Sequence, residues 1–110
     1  MLNQVVIAGR LTADPEIVTS DNNKKRTYIT VAVPRSYKNV NGTYDTDFIR
    51  CILWGGIAES TCEYCQKGDI VGIKGRLQTS SYEKEDGEKA WVTDVIAEKV
   101  SFLSSKKTDE

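Results

Sequence analysis

Between Asp47 and Gly55 the chain reads FIRCILW, so that Phe48, Arg50, Ile52 and Trp54 alternate with Ile49, Cys51 and Leu53. On an extended strand this alternation separates two faces, one small and aliphatic, the other carrying two aromatic rings and a guanidinium. An arginine is rarely buried without a partner, so the aliphatic face is expected to point into a core and leave Phe48 and Trp54 outside. Two chemistries suit rings on an outer face. They can stack nucleobases, at about 1–3 kcal/mol per base and without regard to sequence, while the arginine beside them meets phosphate. Alternatively, they pack against a second subunit or a neighbouring hairpin. Two more aromatics stand in polar, turn-prone stretches that can flank this face, Tyr37 within RSYK and Tyr82 within SSYEK. Aromatics interleaved with basic residues are how open grooves hold single-stranded nucleic acid.

No catalytic constellation accompanies them. The 110 residues contain no histidine, which removes the side chain most used for proton transfer and a common metal ligand at neutral pH. Cys51, Cys62 and Cys65 are an odd number of cysteines, as expected of reduced thiols. Cys62-x-x-Cys65 would supply half a zinc site, but zinc takes four ligands and Cys51 is the one other thiol. A redox pair would open a helix, whereas this pair falls late in one. Both are read as small, half-buried helix residues. Gly72-x-x-Gly75 lies in a strand pattern and lacks the following Lys-Ser/Thr of a phosphate loop. The expectation is a non-enzymatic chain with no metal and no cofactor. Its net charge of −1 means that any basic site is local. Lys24-Lys25-Arg26 reads as a solvated loop run, and Trp91 as packing within the core or between subunits. No apolar run approaches the ~20 residues of a membrane span, and the first residues lack a secretion signal, so a cytoplasmic location is expected.

Period-two apolar segments broken by turn signals must position these residues. Strands are expected at 4–11, 27–33, 48–54, 69–77 and 90–103, with one helix at about 56–66 stopped by Gly68. Pro34 is expected to end the second strand, and Asn41-Gly42 and Asp86-Gly87 to turn two hairpins. Glycines inside strands, at 9, 72 and 75, fit tight coiling or bulges. Five strands and a single helix between the third and fourth predict an all-β fold, a five-stranded Greek-key barrel of the OB type over 1–103, followed by a short polar tail at 104–110. A ferredoxin-like sheet needs a second helix, which the sequence does not offer.

Read together, MLNQVVIAGRLTADPEI, TYITVAVPRSYK and TDFIRCILWGGIAESTCEYCQKGDIVGIKGRLQTSSYE resemble, in order and spacing, the core of the bacterial single-stranded DNA-binding protein family. The resemblance covers residues 1 to 103. It implies an OB-fold protomer, usually assembled as a homotetramer and associated with the nucleoid, that coats single-stranded DNA in replication, recombination, repair or DNA uptake. It assigns base stacking to Tyr37, Phe48, Trp54 and Tyr82 and matches Arg50 and Lys38 to the family's basic positions. With Arg35 and Arg76, these form the expected phosphate contacts. Ser80, Ser81 and Gly56 replace positions that are basic in many members, which implies weaker binding and a flatter salt dependence. The sequence ends without the family's long linker and acidic, Phe-ended tail, so a short form is expected, of the kind linked to DNA uptake or carried by phages and mobile elements, without tail-mediated recruitment of repair enzymes. The alternative is a primosome-type OB module whose outer face serves protein partners.

Overall fold

The computed structural model describes residues 1–104; the expected polar tail, from residue 105 onward, lies outside the described residues. In chain order the elements are β1 (Val5–Leu11), β2 (Val18–Thr19), β3 (Lys25–Lys38), β4 (Tyr44–Trp54), α1 (Gly55–Tyr64), β5 (Ile70–Glu83) and β6 (Lys89–Phe102). β1 pairs antiparallel with β5 along its length, and with β3 at Arg10 and Leu11. β3 pairs with β4, β5 with β6, and β4 runs parallel to β6 where Cys51 meets Val95 and Ile52 meets Ile96. The five long strands thus close into a ring, with α1 between the third and fourth of them, which is the OB barrel. The two-residue β2 lies beside the start of β3, outside the ring.

The interior is small and aliphatic. Leu11, Ile29, Val31, Cys51, Leu53, Val71, Ile73, Val95 and Ala97 fill it, and α1 adds Ala58. At about 25 cal/mol per Å² of apolar surface removed from water, these side chains supply the main driving force for closure. Alternation works as expected in β1, β3 and β4, because a period of two on a strand sends every second residue inward. It fails at Leu77, which shares a face with the buried Val71 and Ile73 but is 46% exposed. By that point β5 has run past its last pair with β1, Val5 with Gly75, and it goes on from there with β6 as a two-stranded arm, so the inward side of β5 faces solvent.

Two expected stops are absent. β3 runs through Pro34 to Lys38, because the ladder accommodates the proline in a bulge: Pro34 opposes Thr46, and the next pair is Lys38 with Tyr44. Four steps along β3 therefore match two along β4, and the missing proline N–H falls where the ladder is already interrupted. The helix ends at Tyr64, two residues short of the expected end near 66, so Gly68 is not its stop. Gly68 instead turns the chain into β5, donating its N–H to the Leu11 carbonyl at 2.9 Å.

Closure depends on two close backbone approaches. A Cβ on Gly9 would stand 2.3 Å from the Ala32 carbonyl oxygen, where β1 crosses β3. A Cβ on Gly75 would stand 2.1 Å from the Ile96 oxygen, beside the register shift of the β5–β6 ladder. Backbone cannot yield cheaply at either site. Gly75→Ala should therefore destabilise the protein by about 1–3 kcal/mol or more in urea unfolding. Gly56→Ala, on α1 with open space around it, should be neutral or stabilising by about 0.5–1 kcal/mol in the same assay.

Candidate nucleic-acid interface

The parity of β4 is realised. Cys51 and Leu53 are buried, while Phe48 is 67% and Trp54 43% exposed on the opposite face. Register extends that face across neighbouring strands, since residues paired across a ladder share a side. Arg26 opposes Trp54, Tyr28 opposes Ile52, Thr30 opposes Arg50 and Ala32 opposes Phe48. On the other side of β4, Ile52 meets Ile96, and Ile96 meets Arg76. From Arg76 the unbroken register carries the same face along the arm to Tyr82, which is exposed. Phe48, Arg50, Trp54, Arg76 and Tyr82 therefore lie on one continuous outer surface.

Tyr37 reaches the site differently. It sits inside the β3 bulge on the β3–β4 arm and is exposed. The bulge releases this stretch from strict alternation, so Tyr37 is aimed by local backbone and not by sheet parity. Lys38 follows it, with Nζ 5.9 Å from the centroid of the Tyr44 ring.

The basic side chains are not equally free. Arg35 is clamped: Nε donates to both Asp47 carboxylate oxygens at 3.2 and 3.1 Å, Nη2 donates to Oδ1 at 2.9 Å, and Asp45 lies 3.7 Å from Nη1. The hydrogen bonds from Arg35 hold the Asp47 carboxyl below its ordinary range, and those to Asp47 raise the Arg35 guanidinium. Arg50 lies 3.5 Å from the nearly buried Asp94 and 4.6 Å from the centroid of the Tyr28 ring. Arg76 is half-buried and, among the described residues, has no ion-pair partner. Lys25 is turned to α1 by a 2.6 Å bond to Glu59. Arg26, read from the sequence as part of a solvated loop, is instead a half-buried member of β3 standing by Trp54.

Trp91 is 68% exposed and so is not a core residue. It opposes Ser81, one position along from the Tyr82–Ala90 pair, and so projects from the other face of the arm. The thiols behave as structural groups. Burial pushes Cys51 up to about 12, with Asp94 adding to the effect, and burial also raises Cys62 and Cys65. A raised pKa withholds the thiolate that redox exchange or metal binding uses. Tyr28 and Tyr44 were not singled out in the sequence. The alternation of Ile29, Val31 and Val33, extended one residue backwards, would have placed Tyr28 on the outer face beside β4.

Residues 2–103 match the Single-strand binding protein family. The chain is similar to "Single-stranded DNA-binding protein B" of Bacillus subtilis, 44% identical over 110 residues that span the whole chain and 97% of the relative. It is 43% identical to "Single-stranded DNA-binding protein 1" of Lactococcus lactis, over 98% of the chain and 72% of that protein. It is 40% identical to "Single-stranded DNA-binding protein 1" of Staphylococcus aureus, over 100% of the chain and 70% of that protein. A match that covers nearly every described residue, on an OB barrel whose outer face carries aligned aromatic and basic side chains, makes this chain a member of the single-strand binding protein family.

Proposed function

We propose that the protein binds single-stranded DNA without sequence preference and protects it during replication, recombination, repair or DNA uptake. The observation that carries this reading is the outer face of β4, where Phe48 and Trp54 are exposed although the same strand buries Cys51 and Leu53. Large rings displayed beside guanidinium groups offer every base a stacking surface whatever its identity. Phe48, Trp54, Tyr37 and Tyr82 stack bases; Arg50, Arg76, Lys38 and Arg35 neutralise phosphates. Binding is the whole activity, and no bond is made or broken.

The four cations enter binding from different starting states. Arg76 meets phosphate directly, whereas Arg35 must first leave Asp47 and Asp45. An exposed ion pair contributes little to folding, but it competes with phosphate for the same fork of donors.

We also propose that the working form is a homotetramer. The edge of β1 is paired with β3 only at Arg10 and Leu11 and touches it closely at Gly9, leaving Val5 to Ala8 open on that side. On its outer face Val6 is 73% exposed, and Val6 and Ala8 line an apolar groove with Gly72 and Leu103. An open apolar edge of this kind fits antiparallel pairing with the β1 of a second copy.

Three measurements test these readings. Replacing Phe48 and Trp54 together by Ala should weaken binding to an unstructured oligodeoxynucleotide by roughly 30-fold or more, given about 1–3 kcal/mol for each of two stacked bases in single-strand-binding OB folds. Unchanged affinity in that double variant would move the aromatic face to a protein partner. Asp47→Asn should tighten binding several-fold and steepen its salt dependence, because it frees Arg35 for phosphate; equal salt slopes would exclude Arg35 from the contact. Light scattering should report four times the 12.3 kDa protomer mass, with Val6→Asp shifting the particle to smaller species. A wild-type particle of protomer mass would refute the assembly.

A further inference from the structure

The outer face of β3 carries a ladder of alternating rings and guanidinium groups that the four stacking aromatics do not account for. Arg26 stands between two rings: its guanidinium carbon is 5.8 Å from the Trp54 ring centroid and 5.5 Å from that of Tyr28. Its Nε donates to the Tyr28 hydroxyl at 3.0 Å. Arg50 covers Tyr28 at 4.6 Å and is held from its other side by Asp94. Tyr28 is thus the shared partner of both arginines, and the order across the face is Trp54, Arg26, Tyr28, Arg50, Asp94.

We infer that Arg26 is a further phosphate contact of the single-strand site, and that Tyr28 is the positioning residue that holds Arg26 and Arg50 for it. The inference rests on the single-strand reading given above and concerns how that same face grips the DNA backbone. Contact with a ring stabilises a cation through the ring's quadrupole while leaving its N–H groups unused. A guanidinium has five such donors in a planar fork suited to phosphate, and Arg26 spends one of them on Tyr28. Among the described residues Arg26 has no carboxylate partner, unlike Arg35, Arg50 and Lys25. It is therefore a cation held in place and still unsatisfied toward an anion. A base stacked on Trp54 brings its own phosphate to this position, next to the ring that already restrains the arginine.

Confinement is what gives Tyr28 its role. An arginine that is ordered before binding loses less side-chain entropy when it meets phosphate than one ranging through solvent. Removing the ring releases two arginines together, so its effect belongs to the phosphate contacts and is read through salt.

The test is binding of the 110-residue protein to oligo(dT) over a series of salt concentrations, for wild type, Arg26→Ala, Arg26→Lys, Tyr28→Phe and Tyr28→Leu, with circular dichroism on each. Arg26→Ala should weaken binding several-fold and reduce the salt slope by about 0.7 for each phosphate that is no longer neutralised. Arg26→Lys should keep the slope, since the charge remains. Tyr28→Leu should weaken binding by roughly ten-fold and flatten the slope, and Tyr28→Phe, which keeps the ring without its hydroxyl, should lie close to wild type. An unchanged slope in Arg26→Ala overturns the phosphate contact. Weaker binding by Tyr28→Leu at unchanged slope overturns the positioning role and makes Tyr28 a stacking or packing residue. A wild-type protein that binds no oligonucleotide overturns the single-strand reading itself, whereas wild-type binding with indifferent variants overturns this inference alone.

Discussion

A ring of five strands closes only where backbones approach more closely than a side chain permits, and everything on the outer face follows from that constraint. β1 crosses β3 at Gly9 and the β5–β6 ladder shifts register at Gly75, each with a neighbouring carbonyl where a Cβ would be. A barrel coiled this tightly has little interior volume. It takes Val, Ile, Leu, Ala and one Cys and has no room for the rings of Phe48 or Trp54, which the same strand must then present outward. The aromatic platform is thus the complement of the core: small residues inside at one parity, large ones outside at the other.

Charge on the outer face is arranged by the same registers. Because β4 runs parallel to β6 at Ile52 and Ile96, Arg50 comes within reach of Asp94 on β6. Because β3 and β4 continue as an arm past Pro34, Arg35 meets Asp47 and Asp45 across it. These carboxylates do more for the state without ligand than for stability. They hold flexible arginines in defined places, and they set how much attraction is left over for a phosphate. Arg76 and Arg26, which have no such partners among the described residues, carry the net positive character of the face. A chain of net charge −1 can in this way display a local cationic track.

The barrel, the helix and the parity of β4 were legible in the sequence because each rests on a local period: two for strands and about 3.6 for the helix. What was not legible depended on pairs far apart in the chain. Pro34 reads as a strand end, and nothing nearby announces that β4 will absorb it in a bulge. Arg35 reads as a free cation until Asp47, twelve residues on, is seen to clamp it. Arg26 looks like the third charge of a loop run, and only its register opposite Trp54 makes it part of the face. The strand at β5 was recognised but cut short at 77, since residues 78 to 83 lack the apolar alternation that marks a core strand. They pair in an arm outside the core, where no such pattern is required.

That arm also explains why two aromatics so near each other serve different surfaces. Tyr82 and Trp91 occupy successive rungs of the β5–β6 ladder, and a shift of one residue reverses the face. Tyr82 continues the side of Arg76 and the β4 platform, while Trp91 continues the side that, nearer the barrel, bears Leu77. Leu77 and Trp91 are both exposed, although their parity is that of the core. The ribbon thus has one face on the side of the platform and another on which Leu77 and Trp91 stand exposed among Thr79, Ser81 and Thr93. The arm therefore extends the aromatic and basic side of β4 through Tyr82, while its reverse side keeps the parity of the core without the strands that would cover it.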